Sequence, residues 1–201
     1  MSPDLLAQLA VAAGGATASG LRVYGTAAAL GWLQHFAVIH LPPGLEILGN
    51  PIVLGVATAL YVAEFVADKI PAFDSVWDAI HTFVRIPAAA LLGFAALGDV
   101  AEPWRSVAAL LCGGVALSVH GIKSGARLAV NASPEPFSNW GLSFGEEASV
   151  AGLLYLVVAH PVASIGVAVA ALLCGAIAML WIGRSIARLF GGRAEPTPPR
   201  A

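Results

Sequence analysis

The residues able to do chemistry in this sequence fall into ordered stripes. Asp74, Asp78, His81 and Arg85 recur at i, i+4, i+7 and i+11, one face of a helix. His120, Lys123, Arg127 and Asn131 follow i, i+3, i+7 and i+11, a basic stripe on an otherwise apolar, Gly- and Ala-rich run. Glu64 and Asp68 form an i, i+4 acidic pair, Glu146 and Glu147 lie side by side, and Arg22 heads an apolar stretch. Acidic and basic stripes of matching length invite pairing across a bundle.

Two chemistries suit this set. In the first, these side chains apart from Asn131, twelve in all, line a pathway for an ion or polar solute. Carboxylates then bind a cation or relay protons, the His81 imidazole adds a proton carrier, and Arg85 acts as the deepest counter-ion or electrostatic barrier. In the second, Glu64, Asp68, Asp78, His81 and Glu146 are candidate ligands for a divalent cation in a membrane enzyme acting on a lipid or lipid-linked substrate, with Asp74 a further oxygen donor. Lys123 and Arg127 would then hold a phosphate. No Walker loop, HExxH or GxSxG motif is present to support catalysis, so no catalytic residue is named. A third reading is a structural scaffold, in which every charge is paired and nothing passes.

The elements that must position these residues follow from composition. The chain has 201 residues, 58% of them hydrophobic and only 11% charged. Its mean hydropathy is +0.82. Soluble domains carry roughly 25% charged residues, so this is an integral membrane protein with the lipid bilayer as its first partner. Net charge −2 excludes a nucleic-acid binder, and Cys112 and Cys174, isolated in apolar runs, exclude a disulfide framework and a CxxC metal site.

Seven apolar segments can be marked off: 4–18, 21–41, 51–68, 74–97 with Pro87 inside, 104–130, 142–160 and 161–183. A spanning helix needs ~20 apolar residues, which the second, third, fifth and seventh satisfy. The expected fold is all-α, a polytopic bundle of six to seven segments within residues 1–190, followed by a short cytoplasmic Arg/Pro-rich tail at 191–201. The first segment either crosses or re-enters. MSPD lacks the positive charge of a signal peptide. Arg184, Arg188, Arg193 and Arg200 place the C-terminus in the cytoplasm by the positive-inside rule. The Gly and Ala content permits close helix approach and a homodimer.

The stretch from Asp74 to Arg85 has a competing position: flat in the headgroup layer, its stripe facing water, until Pro87 turns the chain inward. Lone His35, His40 and His160 lie at span ends and need no further role.

A weak internal repeat runs through the chain. Gly14-Gly15 with Ser19-Gly20-Leu21-Arg22 is echoed by Gly113-Gly114 with Ser124-Gly125-Ala126-Arg127. Paired Gly- and Pro-broken segments of this kind suggest two pseudo-repeated halves. A second echo pairs Pro71-Ala-Phe73-Asp-Ser75-Val-Trp77 with Pro134-Glu-Pro-Phe137-Ser138-Asn-Trp140, but the spacings differ: 49 residues separate Arg22 from Pro71 and only 7 separate Arg127 from Pro134. Between two segments lies a polar, proline-fixed motif, Pro134-Glu135-Pro136-Phe137-Ser138-Asn139-Trp140, read as an ordered interfacial connector or a gating loop.

The stretches Gly20-Leu-Arg-Val-Tyr24, Glu64-Phe-Val-Ala-Asp-Lys-Ile-Pro71 with Asp74-Ser-Val-Trp-Asp-Ala-Ile-His81, and Ser133-Pro-Glu-Pro-Phe-Ser-Asn-Trp140 resemble a membrane family of unassigned activity, domain of unknown function 4126. The resemblance covers nearly the whole chain. It implies an integral protein of a bacterial inner membrane and brings no activity, so any mechanism rests on the residues themselves.

Overall fold

The computed structural model describes residues 3–70, 73–131 and 136–191. They form seven α-helices and one 3₁₀ segment, with no strand among the described residues: α1 Pro3–Leu21, α2 Val23–His35, the 3₁₀ segment Pro43–Gly49, α3 Pro51–Ala67, α4 Phe73–Ala96, α5 Glu102–Asn131, α6 Pro136–Ala159 and α7 Pro161–Gly191. The tail from residue 192 on, with Arg193 and Arg200, lies outside the described residues.

Local chemistry explains several boundaries. Asn50 caps α3 by accepting the Ile52 N–H, and Pro51 fills the first helical position, where no N–H is needed. Arg22 separates α1 from α2 with an extended backbone, φ −147° and ψ 99°. α2 ends where Ala37 enters the left-handed region at φ 53°, a conformation that L-residues other than Gly seldom adopt.

The second apolar segment is therefore not a span. It yields a helix of only 13 residues, because the chain breaks at Arg22 and again after His35. The fourth runs as one helix through Pro87, which removes a single donor from its ladder. The sixth begins earlier than its hydropathy suggests, at Pro136, so Phe137, Ser138, Asn139 and Trp140 are the first turn of α6 and not a loop. Pro134 and Glu135 lie outside the described residues.

Helix directions follow from the contacts. Along α5, Cys112 Sγ lies 3.5 Å from the Ala12 carbonyl and Lys123 Nζ donates to the Leu21 carbonyl at 3.0 Å, so α1 runs parallel to α5. Between these points a Cβ on Gly20 would stand 2.9 Å from the Ala116 carbonyl oxygen and 2.8 Å from Val119 Cβ. Only glycine lets the two backbones meet there. α2 then returns. Trp32 Nε1 donates to Thr58 Oγ1 at 3.2 Å, and the 3₁₀ segment brings Gly44 against the Ala95 carbonyl, at the far end of α4. α1 and α2 thus form a hairpin whose two ends lie toward Asp99, with Arg22 at its tip. Gln8 Nε2 ties the open end to Asp99 at 2.9 Å. The tip stops level with Lys123, eight residues, or ~12 Å at 1.5 Å per residue, short of the Asn131 end of α5.

α4 and α5 pack antiparallel along their length, with Asp74 against Arg127, Thr82 against His120 and Gly93 against Cys112. The Asp74–Arg85 stripe therefore faces inward against α5. The headgroup-layer position is excluded, because that face is already occupied by the basic stripe.

Candidate functional site

The distribution of side chains is inverted relative to a soluble protein. Phe83 is 82% exposed and Leu110 78%, while Arg22 and Arg85 are 0% exposed. Among the described residues four helices, Val76–Ala96, Glu102–Asn131, Phe137–Ala159 and Pro161–Ser185, are long and apolar enough to cross a membrane. The 3₁₀ segment and α3, bent by 70°, would make a fifth span if counted together.

Inside the bundle the charges converge on four buried cations. Arg22, at the hairpin tip, lies 2.9 Å from Asp68 Oδ2 and 3.2 Å from Glu146 Oε2, and donates to Ser143 Oγ at 3.0 Å. Its Nε stands 3.1 Å from Glu147 Oε1, an ion pair without hydrogen-bond alignment. Arg85 donates to Glu64 Oε1 at 2.7 Å and to Asp78 Oδ1 at 2.8 Å. Lys123 sits 3.3 to 3.4 Å from Asp68, Asp78 and Glu146. Arg127 grips Glu146 with two bonds, 3.0 Å from Nε and 2.8 Å from Nη2. It also lies 3.2 Å from both Asp68 and Asp74, and its Nη1 donates to the Asp68 carbonyl at 2.7 Å. A two-pronged guanidinium–carboxylate bond fixes orientation as well as charge.

His120 is neutral on donor chemistry alone. Arg85 Nη1, which can only donate, approaches His120 Nδ1 at 2.8 Å, so Nδ1 is the acceptor and Nε2–H donates to Thr82 Oγ1 at 2.7 Å. His81 Nδ1 bonds the Trp77 carbonyl at 2.8 Å, and its ring stacks on Trp77 and meets Tyr24 edge-on. At the rim, Lys69 lies over the Phe65 ring and donates to Ser143 Oγ at 3.3 Å; burial, and next the nearby Arg22, lower its ammonium pKa.

The structure thus brings Arg22, Glu64, Asp68, Asp74, Asp78, Arg85, His120, Lys123, Arg127, Glu146 and Glu147 into one ion-pair cluster, with His81 beside Trp77 and Tyr24. From the proline-bearing motif Asn139 joins it: its Nδ2 donates to Asn131 Oδ1 at 3.0 Å, and Asn131 in turn donates to Asp74. Phe137 and Trp140 are exposed. Sequence reasoning missed Ser143, Tyr61 and Thr82. Ser143 lies one turn before the paired glutamates, a readable signal. Tyr61, which donates to Glu147 Oε2 at 2.9 Å, sits three residues before Glu64, so its position was visible but its partner was not.

The candidate metal ligands Glu64, Asp68, Asp78, His81 and Glu146 are all engaged with other partners. Among the described residues no three His, Cys, Asp or Glu side chains form a group able to hold a metal ion. The reason is geometric: Glu64, Asp68, Asp78 and Glu146 turn their oxygens to guanidinium and ammonium groups, and His81 turns to a carbonyl. His35, His40 and His160 are exposed and outside the cluster.

Apolar outer faces, helices long and apolar enough to span a membrane and charges gathered inside suggest a helical membrane protein with a buried ion-pair cluster. The chain belongs to the family described as Domain of unknown function (DUF4126), whose profile matches residues 9–182. No curated protein and no solved structure matches it.

Proposed function

We propose that the protein carries a small cation across the membrane through this cluster, as a transporter or channel. The observation that supports this reading is an imbalance of charge. Six carboxylates, on Glu64, Asp68, Asp74, Asp78, Glu146 and Glu147, meet five cations, on Arg22, Lys69, Arg85, Lys123 and Arg127. Glu64 Oε2, Asp68 Oδ1 and Asp78 Oδ2 are buried with no bonded partner. An uncompensated buried charge costs several kcal/mol. A network serving structure alone gains nothing from one anion too many, whereas a site for a positive cargo needs that deficit.

In this reading the hairpin, α3 and α4 to α7 give seven segments, with the N-terminal end outside. Arg184 and Arg188 near the end of α7 support a cytoplasmic C-terminus and a cluster in the inner half of the cell membrane. The echo between Arg22 and Arg127 gains support from their shared partners, Asp68 and Glu146. The scaffold reading has an observation of its own, the pairing of every buried cation. Reconstitution separates the two: liposomes with the wild-type protein should pass protons or alkali cations, and Glu64→Gln or Asp78→Asn should abolish the flux while the protein remains folded. Flux that survives both changes removes the cluster from the pathway.

A further inference from the structure

Two cavities touch the cluster, on different flanks and at different levels. One lies between α2, α3 and α6, has a volume of about 270 Å³, and is lined by Gly25, Trp32, Thr58, Tyr61, Glu147 and Leu154 among others. Its polar end is Glu147 with Tyr61. From Gly25 to Trp32 it follows α2 for seven residues, ~10 Å, toward the Asp99 end. The other lies between α4 and α5, holds about 280 Å³, and is lined by Asp78, Ala79, Thr82, Ser124, Arg127 and Leu128. It follows α5 toward the Asn131 end. Each has room for several waters. Buried Asp78, whose Oδ2 has no partner, borders the second cavity.

Between them runs an unbroken series of ion pairs: Glu147 to Arg22 at 3.1 Å, Arg22 to Glu146 at 3.2 Å, Glu146 to Lys123 at 3.3 Å and Lys123 to Asp78 at 3.3 Å. We infer that the two cavities are separate access routes to the cluster from opposite sides of the membrane, and that this series of ion pairs is the barrier that a small monovalent cation crosses. The inference rests on the transport reading. Glu147 receives the cation on the Asp99 side, where the aromatic rings of Trp32 and Tyr61 line an otherwise apolar wall and attract positive charge. Asp78 receives it on the Asn131 side, with the Thr82 and Ser124 hydroxyls beside it. Arg22 is the element able to switch, because it sits at a helix break, holds partners on α3 and α6 together, and leaves its Nη1 without a bond.

Cysteine accessibility tests this in proteoliposomes of known orientation. The background replaces Cys112 with Ala and Cys174 with Ser, removing both native thiols. Ala151→Cys probes the α2–α3–α6 cavity and Ala79→Cys the α4–α5 cavity. Val62→Cys, on the apolar outer face of α3, is the lipid-facing control. A membrane-impermeant quaternary-ammonium thiol reagent should label Ala151→Cys only from the Asp99 side and Ala79→Cys only from the Asn131 side. Val62→Cys should stay unlabelled, and each modification should block cation flux. A negatively charged reagent of similar size should react about tenfold slower or more. Labelling of both sites from one face, of neither from any face, or with no effect on flux overturns the inference; Ala29→Cys and Leu128→Cys repeat the test if a first variant does not fold. Wild-type flux is measured in the same vesicles. Flux with one-sided labelling sinks only the two-route inference, and no flux of protons, Na⁺ or K⁺ sinks the transport reading as well.

Discussion

Replacing Arg22 with Gln gives the sharpest energetic test of the cluster. The guanidinium is fully buried and stands within 3.2 Å of three carboxylates on α3 and α6, so its loss leaves them facing one another with one cation fewer. Removing one partner of a buried pair costs about 3–5 kcal/mol, because the charges left behind stay desolvated. For a chain of this length roughly 2–4 °C of melting temperature accompanies each kcal/mol, which predicts a fall of about 6–20 °C. The readout can be built from the protein itself. Cys112 is 5% exposed and becomes reactive only on unfolding, so a thiol-reactive fluorophore in a Cys174→Ser background reports the transition in detergent. Adding Asp68→Asn to Arg22→Gln removes one of the stranded anions and should recover at least about 1 kcal/mol, a coupling that independent sites do not show. An Arg22→Gln protein that melts within 2 °C of wild type would refute the reasoning, since Arg22 would then carry no share of the balance.

Other outcomes follow from the same geometry. Gly20→Val should cost about 1–3 kcal/mol by forcing α1 off α5, whereas Gly121→Ala, with nothing within 4 Å of the new Cβ, should leave the melting temperature unchanged or higher. Arg127→Lys should destabilise in the same thiol assay despite conserving charge, because an ammonium cannot reproduce the two bonds to Glu146. Tyr61→Phe should lose about 0.5–1.5 kcal/mol, and it should alter labelling of Ala151→Cys, since only that cavity loses a hydroxyl. The Arg22→Gln penalty should persist at high salt, which screens exposed charges far more than buried ones.

The cluster was readable because charged residues in apolar runs have few places to go. The Asp74–Arg85 and His120–Asn131 stripes each define a helical face, and lipid outside forces those faces together. What periodicity does not encode is which atom meets which. Glu64 finding Arg85 and Arg22 reaching Glu146 depend on the relative heights of four helices. Segment boundaries were misjudged where composition and backbone disagree. Residues 21–41 are apolar enough to span, yet an extended Arg22 and a left-handed Ala37 confine the helix to Val23–His35. Pro134 to Trp140 reads as loop by its prolines, but Pro136 occupies the first position of α6, where proline is tolerated. Carboxylate spacing along a helix also says nothing of the guanidinium groups opposite, which take up the acidic side chains here.

The hairpin also bears on how the polypeptide is assembled. Arg22 leaves the ribosome well before the segments bearing Asp68, Glu146 and Glu147. Until those arrive, lodging its guanidinium at depth costs roughly 2.5–3.5 kcal/mol even on insertion scales. α1 and α2 therefore gain the full set of partners for Arg22 only once α6 is in place. Docking of the hairpin is then completed late, and a chain truncated before α6 leaves the arginine with Asp68 but without Glu146, Glu147 or Ser143.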